Sequence, residues 1–450
     1  MTSAVMPDTL AVTGEATGEA TGEATRDDGW SMAALMRTAA IVLAVLVLFS
    51  GAGAWGWNVG RLPVPPLATM VVVFACAAVA VLLDISRLGS GVMWGWAIAN
   101  AVVAMTGFLW SSGSEDALQE VRTRVLSSMQ LVAYVVVLAD PRVRRAARVA
   151  IIVSTFGAIG LNLWELTHPM TFSISLGRSA GFYVNPNIAG AALIAGMLLA
   201  LPAVPAKLRE LYMLAVGVGV FTTLSRGAIL CWAIVTVSLL LSRAIRGKRL
   251  IVLTAAGLAF ALSVAGALLA SGQLGYIGGG AERFVRQRLS IGNSEGLHAD
   301  VSASSRSHLA MHALEMFGER PFAGHGTGAT VIWNEPESTH NIYARQLAEY
   351  GLFGAWLAPL LLVLGLRAVM SSEHQDGDAG DEPIRRAVGF AFMLFVALWG
   401  LFSHNVLDDP FVLIGLALIA AVPSRGIARA PDNALRAVAP TVSSLSLPCS

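Results

Sequence analysis

Between residues 33 and 422 the chain is a succession of apolar runs broken by short polar segments, and no other feature restricts its fold as much. The runs cover residues 33–53, 67–83, 92–110, 125–139, 147–164, 188–204, 211–223, 227–241, 250–270, 352–370, 387–402 and 411–422. A helix crossing a hydrocarbon layer of about 30 Å needs about 20 apolar residues. Twelve runs therefore predict an all-α integral membrane protein with about twelve transmembrane helices, the seventh and twelfth being short. Composition agrees: 55% of the 450 residues are hydrophobic, whereas 30 basic and 29 acidic residues make only 13% charged. A water-facing globular surface takes roughly 25%, so a soluble enzyme is excluded. The net charge of +1 excludes nucleic-acid binding driven by bulk charge. Cys76 and Cys231 fall inside apolar runs and Cys449 is penultimate, so neither a disulfide framework nor a thiolate metal site is implied.

Charge fixes the orientation, because cytoplasmic loops collect Lys and Arg. Counting from a cytoplasmic N-terminus, the inside segments carry seventeen basic residues, among them Arg142, Arg144, Arg145, Arg148, Arg243, Arg246, Lys248 and Arg249. The short outside loops carry five: Arg61, Arg122, Arg124, Arg178 and Arg226. Dropping the short seventh span would put the Arg243 to Arg249 cluster outside, so it is kept. Both termini are then cytoplasmic. Residues 1–32 contain Gly-Glu-Ala-Thr three times over and read as a disordered tail without a secretory signal. Residues 33–424 form the membrane domain, residues 271–350 a large extracytoplasmic helical loop between spans nine and ten, and residues 425–450 a cytoplasmic tail. In the loop, Ser304 or Ser305 offers an N-cap for an amphipathic helix with Leu309, Ala313, Met316 and Phe317 on one face, stopped by Pro321. Ser338 or Thr339 then caps a helix beginning at His340 that feeds the tenth span. Trp55, Trp57, Trp94, Trp96 and Trp110 read as interfacial belt residues.

Few polar groups remain to carry chemistry. Arg178, in Gly177-Arg178-Ser179-Ala180-Gly181-Phe182-Tyr183-Val184-Asn185-Pro186-Asn187, and Arg226, in Leu224-Ser225-Arg226-Gly227, lie on the outside at membrane depth. An arginine there is either a residue snorkelling to headgroups or one with a partner or an anionic ligand. Guanidinium is the fork that grips phosphate in two places, so two on one side suggest a diphosphate. Of eight histidines, His308 and His312 share a helix face without a third ligand, and no metal site is read there. His340, at a helix start near the membrane surface, reads either as a surface or capping residue or as a base for a hydroxyl. His404, Asn405, Asp408 and Asp409 face outside and either orient a substrate hydroxyl, pair with an arginine, or form an ordinary polar loop. Asp376-Gly377-Asp378 has the D-x-D pattern of metal-dependent sugar transferases but sits in an acidic cytoplasmic linker, which argues for a solvated loop. The Gly324-His325-Gly326-Thr327-Gly328 turn follows no strand and is no dinucleotide site.

Taken in order, these segments resemble the O-antigen ligase and polymerase superfamily of bacterial envelope glycan transferases. The resemblance rests on Arg178 to Asn187; Ser225-Arg226-Gly227; Arg306 with Ala313-Leu314 leading into Pro321-Phe322-Ala323-Gly324-His325-Gly326; and His340-Asn341 with Glu349-Tyr350-Gly351-Leu352-Phe353-Gly354. It spans roughly residues 33 to 424. It implies a C-type glycosyltransferase membrane fold in the bacterial cytoplasmic (inner) membrane, a polyprenyl diphosphate-linked glycan donor such as undecaprenyl diphosphate, a glycan or glycolipid acceptor, and neither cofactor nor metal. By the same resemblance Arg178, Arg226 and Arg306 hold the diphosphate and His340 is the catalytic base. Asn187, Asn341 and Asp408 are the further candidate substrate contacts. His325 stands where an apolar residue is expected in the Pro-x-x-Gly-x-Gly turn. Two other classes fit twelve spans, a secondary transporter and a polysaccharide export or assembly protein. The first favours two similar halves, absent from a nine-plus-three arrangement, and the second leaves the outside arginines and His340 unexplained.

Overall fold

The computed structural model describes residues 31–82, 91–175, 177–257, 301–333, 335, 338–371 and 382–421. The N-terminal repeat, most of the ninth apolar run, the first part of the extracytoplasmic loop, the Asp376 to Asp378 linker and the C-terminal tail lie outside these residues. Among the described residues all regular structure is helical. In chain order the helices are α1 (Met32–Ala44, prolonged by a π-turn over Val45–Phe49), α2 (Ala52–Asn58), α3 (Pro66–Leu82), α4 (Gly91–Phe108), α5 (Glu115–Val137), α6 (Pro141–Thr167), α7 (Pro186–Ala200), α8 (Arg209–Thr222) and α9 (Arg226–Leu241). Helical residues 247–257 follow. Then come α10 (Val301–Glu319), α11 (Ile342–Gly354), α12 (Leu357–Ser371), α13 (Glu382–Trp399) and α14 (Pro410–Ala420).

Three helical segments, Met32–Phe49, Pro141–Thr167 and Pro186–Ala203, are each long and apolar enough to cross a membrane. Pro66–Leu82, Val92–Phe108, Arg226–Leu241 and Pro410–Ala420 are shorter apolar helices, and α11 with α12 forms a pair bent by 89°. The most enclosed of the long helices is α7, which packs against α6, α8, α9, α13 and α14. Its small residues permit that closeness, as in membrane helix packing generally. A Cβ on Gly190 would stand 2.5 Å from the Cβ of Ala228 on α9, and one on Gly196 would overlap Thr155 on α6. Proline at the first turn starts α6, α7 and α14, where its missing N–H costs nothing.

Four local expectations are corrected. Helix α5 starts at Glu115, ten residues before its apolar run, because Ser114 accepts a hydrogen bond from the Ala117 N–H and Glu115 and Asp116 occupy the first turn. Arg122 and Arg124 are consequently helical, and Arg124 is fully buried instead of lying in a loop. Helix α10 already begins at Val301, so Ser304 and Ser305 lie within it, while Leu309 and Ala313 are buried. Helix α11 is capped by Asn341, whose side chain accepts from the Tyr343 and Ala344 N–H groups, and His340 sits outside it. Trp96 is 2% exposed and donates to the Leu357 carbonyl at 2.8 Å, a packing residue and not a belt residue.

The bend between α11 and α12 explains why two motif segments occur together. At Gly351 the backbone leaves helical geometry (φ 56°, ψ −151°), which frees the N–H groups of the next residues. Leu352 donates to the Pro321 carbonyl at 2.8 Å and Phe353 to the Phe322 carbonyl at 2.9 Å. In return His325 donates to the Ala348 carbonyl at 2.9 Å and Gly326 to the Glu349 carbonyl at 2.8 Å. The glycine-rich turn is thus a backbone clamp on α11. Thr327 ties it to α4 through the Ala104 carbonyl, and the His325 ring reaches the Met316 carbonyl on α10.

Candidate functional site: a cationic cleft at three helix starts

The loop carrying Arg178 is organised by one carboxylate. Glu165, in the last turn of α6 and 3% exposed, accepts from the backbone N–H groups of Phe172, Ser173, Ala180 and Gly181. Arg178 then donates through Nε to the Thr223 carbonyl at 3.0 Å and through Nη2 to Oδ1 of Asn187 at 2.8 Å. The same Asn187 oxygen accepts from the Ser225 hydroxyl at 2.8 Å, and Ser225 caps α9, whose first residue is Arg226. Asn187 therefore couples the Arg178 loop to the Ser-Arg-Gly segment. Gly227 is needed there because a side chain would press on the Phe402 ring.

Arg178, Asn187, Arg226, Arg306, His340 and Asn341 all line one cleft of about 360 Å³, completed by Ser225, Ser307, Thr339 and an apolar edge of Leu224, Ala310, Leu401 and Phe402. Six of the seven predicted site residues are thereby brought together from four separated stretches of chain. A second recess of about 350 Å³, between α3, α4 and α5, holds none of them. Chemistry, not size, distinguishes the cleft. Helices α7, α9 and α11 all start at it, capped by Asn185, Ser225 and Asn341. The residue before each cap, Val184, Leu224 and His340, has a left-handed backbone with φ of 64°, 48° and 49°, a conformation uncommon outside glycine. Helix N-termini carry partial positive charge and free N–H groups, so they add to the field of the arginines.

Asp408 is the exception. It is buried away from the cleft lining, in an array that sequence reasoning missed. On α11 Arg345 pairs with Glu349 (Nε to Oε1, 3.0 Å) and with Glu120 on α5 (Nη2 to Oε2, 2.5 Å). Arg124 lies 3.9 Å from Glu349 and over the Tyr350 ring, and Thr330 donates to Glu349 at 2.7 Å. The local signal was two i, i+4 pairs, Glu120 with Arg124 and Arg345 with Glu349, which look like solvated helix faces until the fold encloses them. Burial pushes the Asp408 carboxyl up from its ordinary value, against the pull of Arg124. His404 joins this array to the cleft: its ring lies 5.5 Å from that of His340, edge to face. Enclosure, then the charge of Arg345 and the neighbouring His340, push His404 down to about 3, so it is neutral.

Among the described residues the structure is all-helical, with helices of membrane-spanning length and a polar cleft that gathers three arginines, which defines a membrane protein. The family model described as O-antigen ligase matches residues 211–359, about a third of the chain, and this supports the resemblance to the O-antigen ligase and polymerase superfamily. The match points to a membrane glycan-transferring function. The match takes in Arg226, Arg306, His340 and Asn341, and stops short of Arg178, Asn187 and Asp408. No curated protein matches the chain.

Proposed function

We propose that the cleft is the donor site of a glycosyltransferase that moves a glycan from a polyprenyl diphosphate to a hydroxyl of a glycan or glycolipid acceptor at the outer face of the bacterial cytoplasmic membrane. The observation that carries this reading is the convergence of three arginines and one histidine, from separate stretches of chain, on a single cleft with an apolar edge. The leaving group is an anionic lipid diphosphate, so bond breaking at the sugar is favoured by fixed positive charge on the departing oxygens. Arg178, Arg226 and Arg306 supply that charge with the three helix starts behind them, and no metal is required. His340 takes the proton of the acceptor hydroxyl as its oxygen bonds to the anomeric carbon. Attack opposite the leaving diphosphate inverts that centre. Asn187 fixes the Arg178 fork, and Asn341 caps the helix that follows the base. The charge asymmetry of the loops supports a cleft on the outer side and both termini in the cytoplasm.

The test is transfer from a polyprenyl diphosphate glycan by purified protein in lipid nanodiscs, with a divalent chelator present. His340→Ala should abolish transfer while the protein stays folded, and full activity of that variant would eliminate the proposed base. Arg226→Lys should lower turnover at least about tenfold, because a point charge replaces a fork. Unchanged donor affinity and rate in that variant would refute diphosphate binding by Arg226.

A further inference from the structure

Five ionisable residues packed beside the cleft have no part in the reading above. Glu120, Arg124, Arg345, Glu349 and Asp408 form a buried array in which Arg124, Arg345 and Glu349 have no exposed surface. Buried ion pairs seldom stabilise a fold more than apolar packing would, and ionisable groups enclosed in a membrane protein usually serve function. One side chain, His404, neighbours both this array and the cleft. One side of its ring meets His340 at 5.5 Å with the planes inclined by 65°. The ring also lies in the field of Arg345 from α11 and of Glu120 and Arg124 from α5. Its Nδ1 is buried and makes no hydrogen bond.

We propose that His404 is the positioning residue of the base: its ring, set edge to face against His340 beside the ion array, holds the His340 imidazole in line with the acceptor. This rests on the assignment of His340 as base. The physical requirement is neutrality. A second unit charge 5.5 Å away would lower the proton affinity of His340 by about a hundredfold at the effective dielectric of a protein interior. The cations Arg345 and Arg124, with enclosure, oppose protonation of His404, and Glu120 favours it. The balance keeps the ring uncharged. His340 lies outside α11, in a left-handed backbone conformation just ahead of the Asn341 cap. An edge-to-face ring contact adds a preferred orientation to its imidazole.

The experiment compares His404→Ala and His404→Phe with wild type and His340→Ala in nanodiscs, measuring kcat, donor KM and the pH dependence of kcat. In His404→Ala, kcat should fall about 10- to 100-fold with donor KM changed less than about twofold, since the arginines are untouched. Water admitted at the vacated ring should favour the charged form of His340, so the acid limb of the kcat profile moves to higher pH. His404→Phe restores an uncharged ring and should recover at least about a third of wild-type kcat with the acid limb in place. Wild-type kcat in His404→Ala would overturn the proposal, as would equal losses in the Ala and Phe variants or an unmoved acid limb in the former. If His404→Ala unfolds, the Phe variant decides alone: loss of kcat in a folded His404→Phe protein also overturns it. Activity of His340→Ala would instead strike the base assignment, so the two failures are distinguishable.

Discussion

Glu165 offers the sharpest test of how the cleft is built, because one carboxylate holds both ends of the Arg178 loop. Its Oε1 accepts from the Phe172 and Ser173 N–H groups and its Oε2 from those of Ala180 and Gly181. Glu165→Gln keeps shape and volume and exchanges one acceptor oxygen for an NH2 group. Whichever way the amide turns, one pair of backbone donors faces another donor. Two charge-assisted bonds are lost and two buried N–H groups are left unpaired, at about 1.5–3 kcal/mol each. The remaining pair also weakens, since its acceptor is no longer charged. The sum is about 3–6 kcal/mol, concentrated in one loop. A loss of that size opens the loop locally before it unfolds the protein. Arg178 stays tethered to Thr223 and Asn187, but its loop is no longer fixed from behind. Thermal unfolding in nanodiscs should shift down by several degrees, and donor KM should rise at least about tenfold, equivalent to ~1.4 kcal/mol. Glu165→Asp, one methylene short, should be impaired as well. A Glu165→Gln protein with unfolding within about 1 °C of wild type and donor KM within about twofold would show that the carboxylate does not organise the site.

Gly351→Ala should be among the most damaging single changes: the new Cβ would meet the Pro321 carbonyl oxygen at 2.5 Å in a left-handed backbone, costing at least about 2–4 kcal/mol, which a large drop in unfolding temperature by size-exclusion thermostability would register. Thr330→Val leaves a Glu349 oxygen with one bond fewer and should cost about 1–2 kcal/mol, seen as a smaller thermal shift with kcat falling in parallel. Burial raises the Asp409 carboxyl from its usual value to about 7, whereas the unfolded chain ionises near pH 4. The stability this group contributes is therefore fully present below the unfolded pKa and drains away as pH rises to about 7, by roughly 4 kcal/mol. Asp409→Asn keeps an acceptor for the Trp399 N–H, found at 3.3 Å in wild type. It should flatten that dependence and be the more stable protein at pH 8; identical unfolding curves for both proteins from pH 5 to 8 would refute it.

The sequence made the helical class legible in its abundant apolar runs and most of the cleft legible in its scarce charges. In a chain with so few charges, arginines outside the cytoplasmic clusters stand out, and Arg178, Arg226 and Arg306 do line one cleft with His340. What stayed hidden is what burial alone defines. Arg124 and Arg345 look like any helix-face arginines until α4, α11 and the loop before α14 enclose them. Glu165 sits beside a tryptophan at the end of an apolar helix, with no motif to mark four backbone donors arriving from residues 172 to 181. Asp408 was read as a substrate contact because it faces outward in the span order; the fold turns it inward, to the array that neighbours His404. Hydropathy also misplaced the start of α5, whose first turns are polar and set by capping, not by apolar periodicity.

The way the cleft forms explains why its residues are scattered in sequence yet fixed in space. Each of three helices begins at the cleft with an Asn or Ser cap, and each cap follows a residue held at positive φ. A left-handed residue costs about 1–3 kcal/mol outside glycine, and Val184, being β-branched, tolerates it worst. Such strain persists only where the surroundings over-determine it. Here the surroundings include the Asn187 hub, the Glu165 carboxylate behind the Arg178 loop, and the Gly400 carbonyl, which accepts from the Ile342 N–H at 2.9 Å at the start of α11. The sharp turn before each cap brings the chain abruptly into its helix, so that the first residues, Asn187, Arg226 and the Asn341 cap itself, stand at the cleft with their N–H groups. A gentler entry, such as a glycine at Leu224 would allow, would relieve the strain and loosen the placement of Arg226. The cleft is thus held in a charged, ordered form before any donor arrives, which is the condition for electrostatic stabilisation of a departing diphosphate without reorganisation at the moment of reaction.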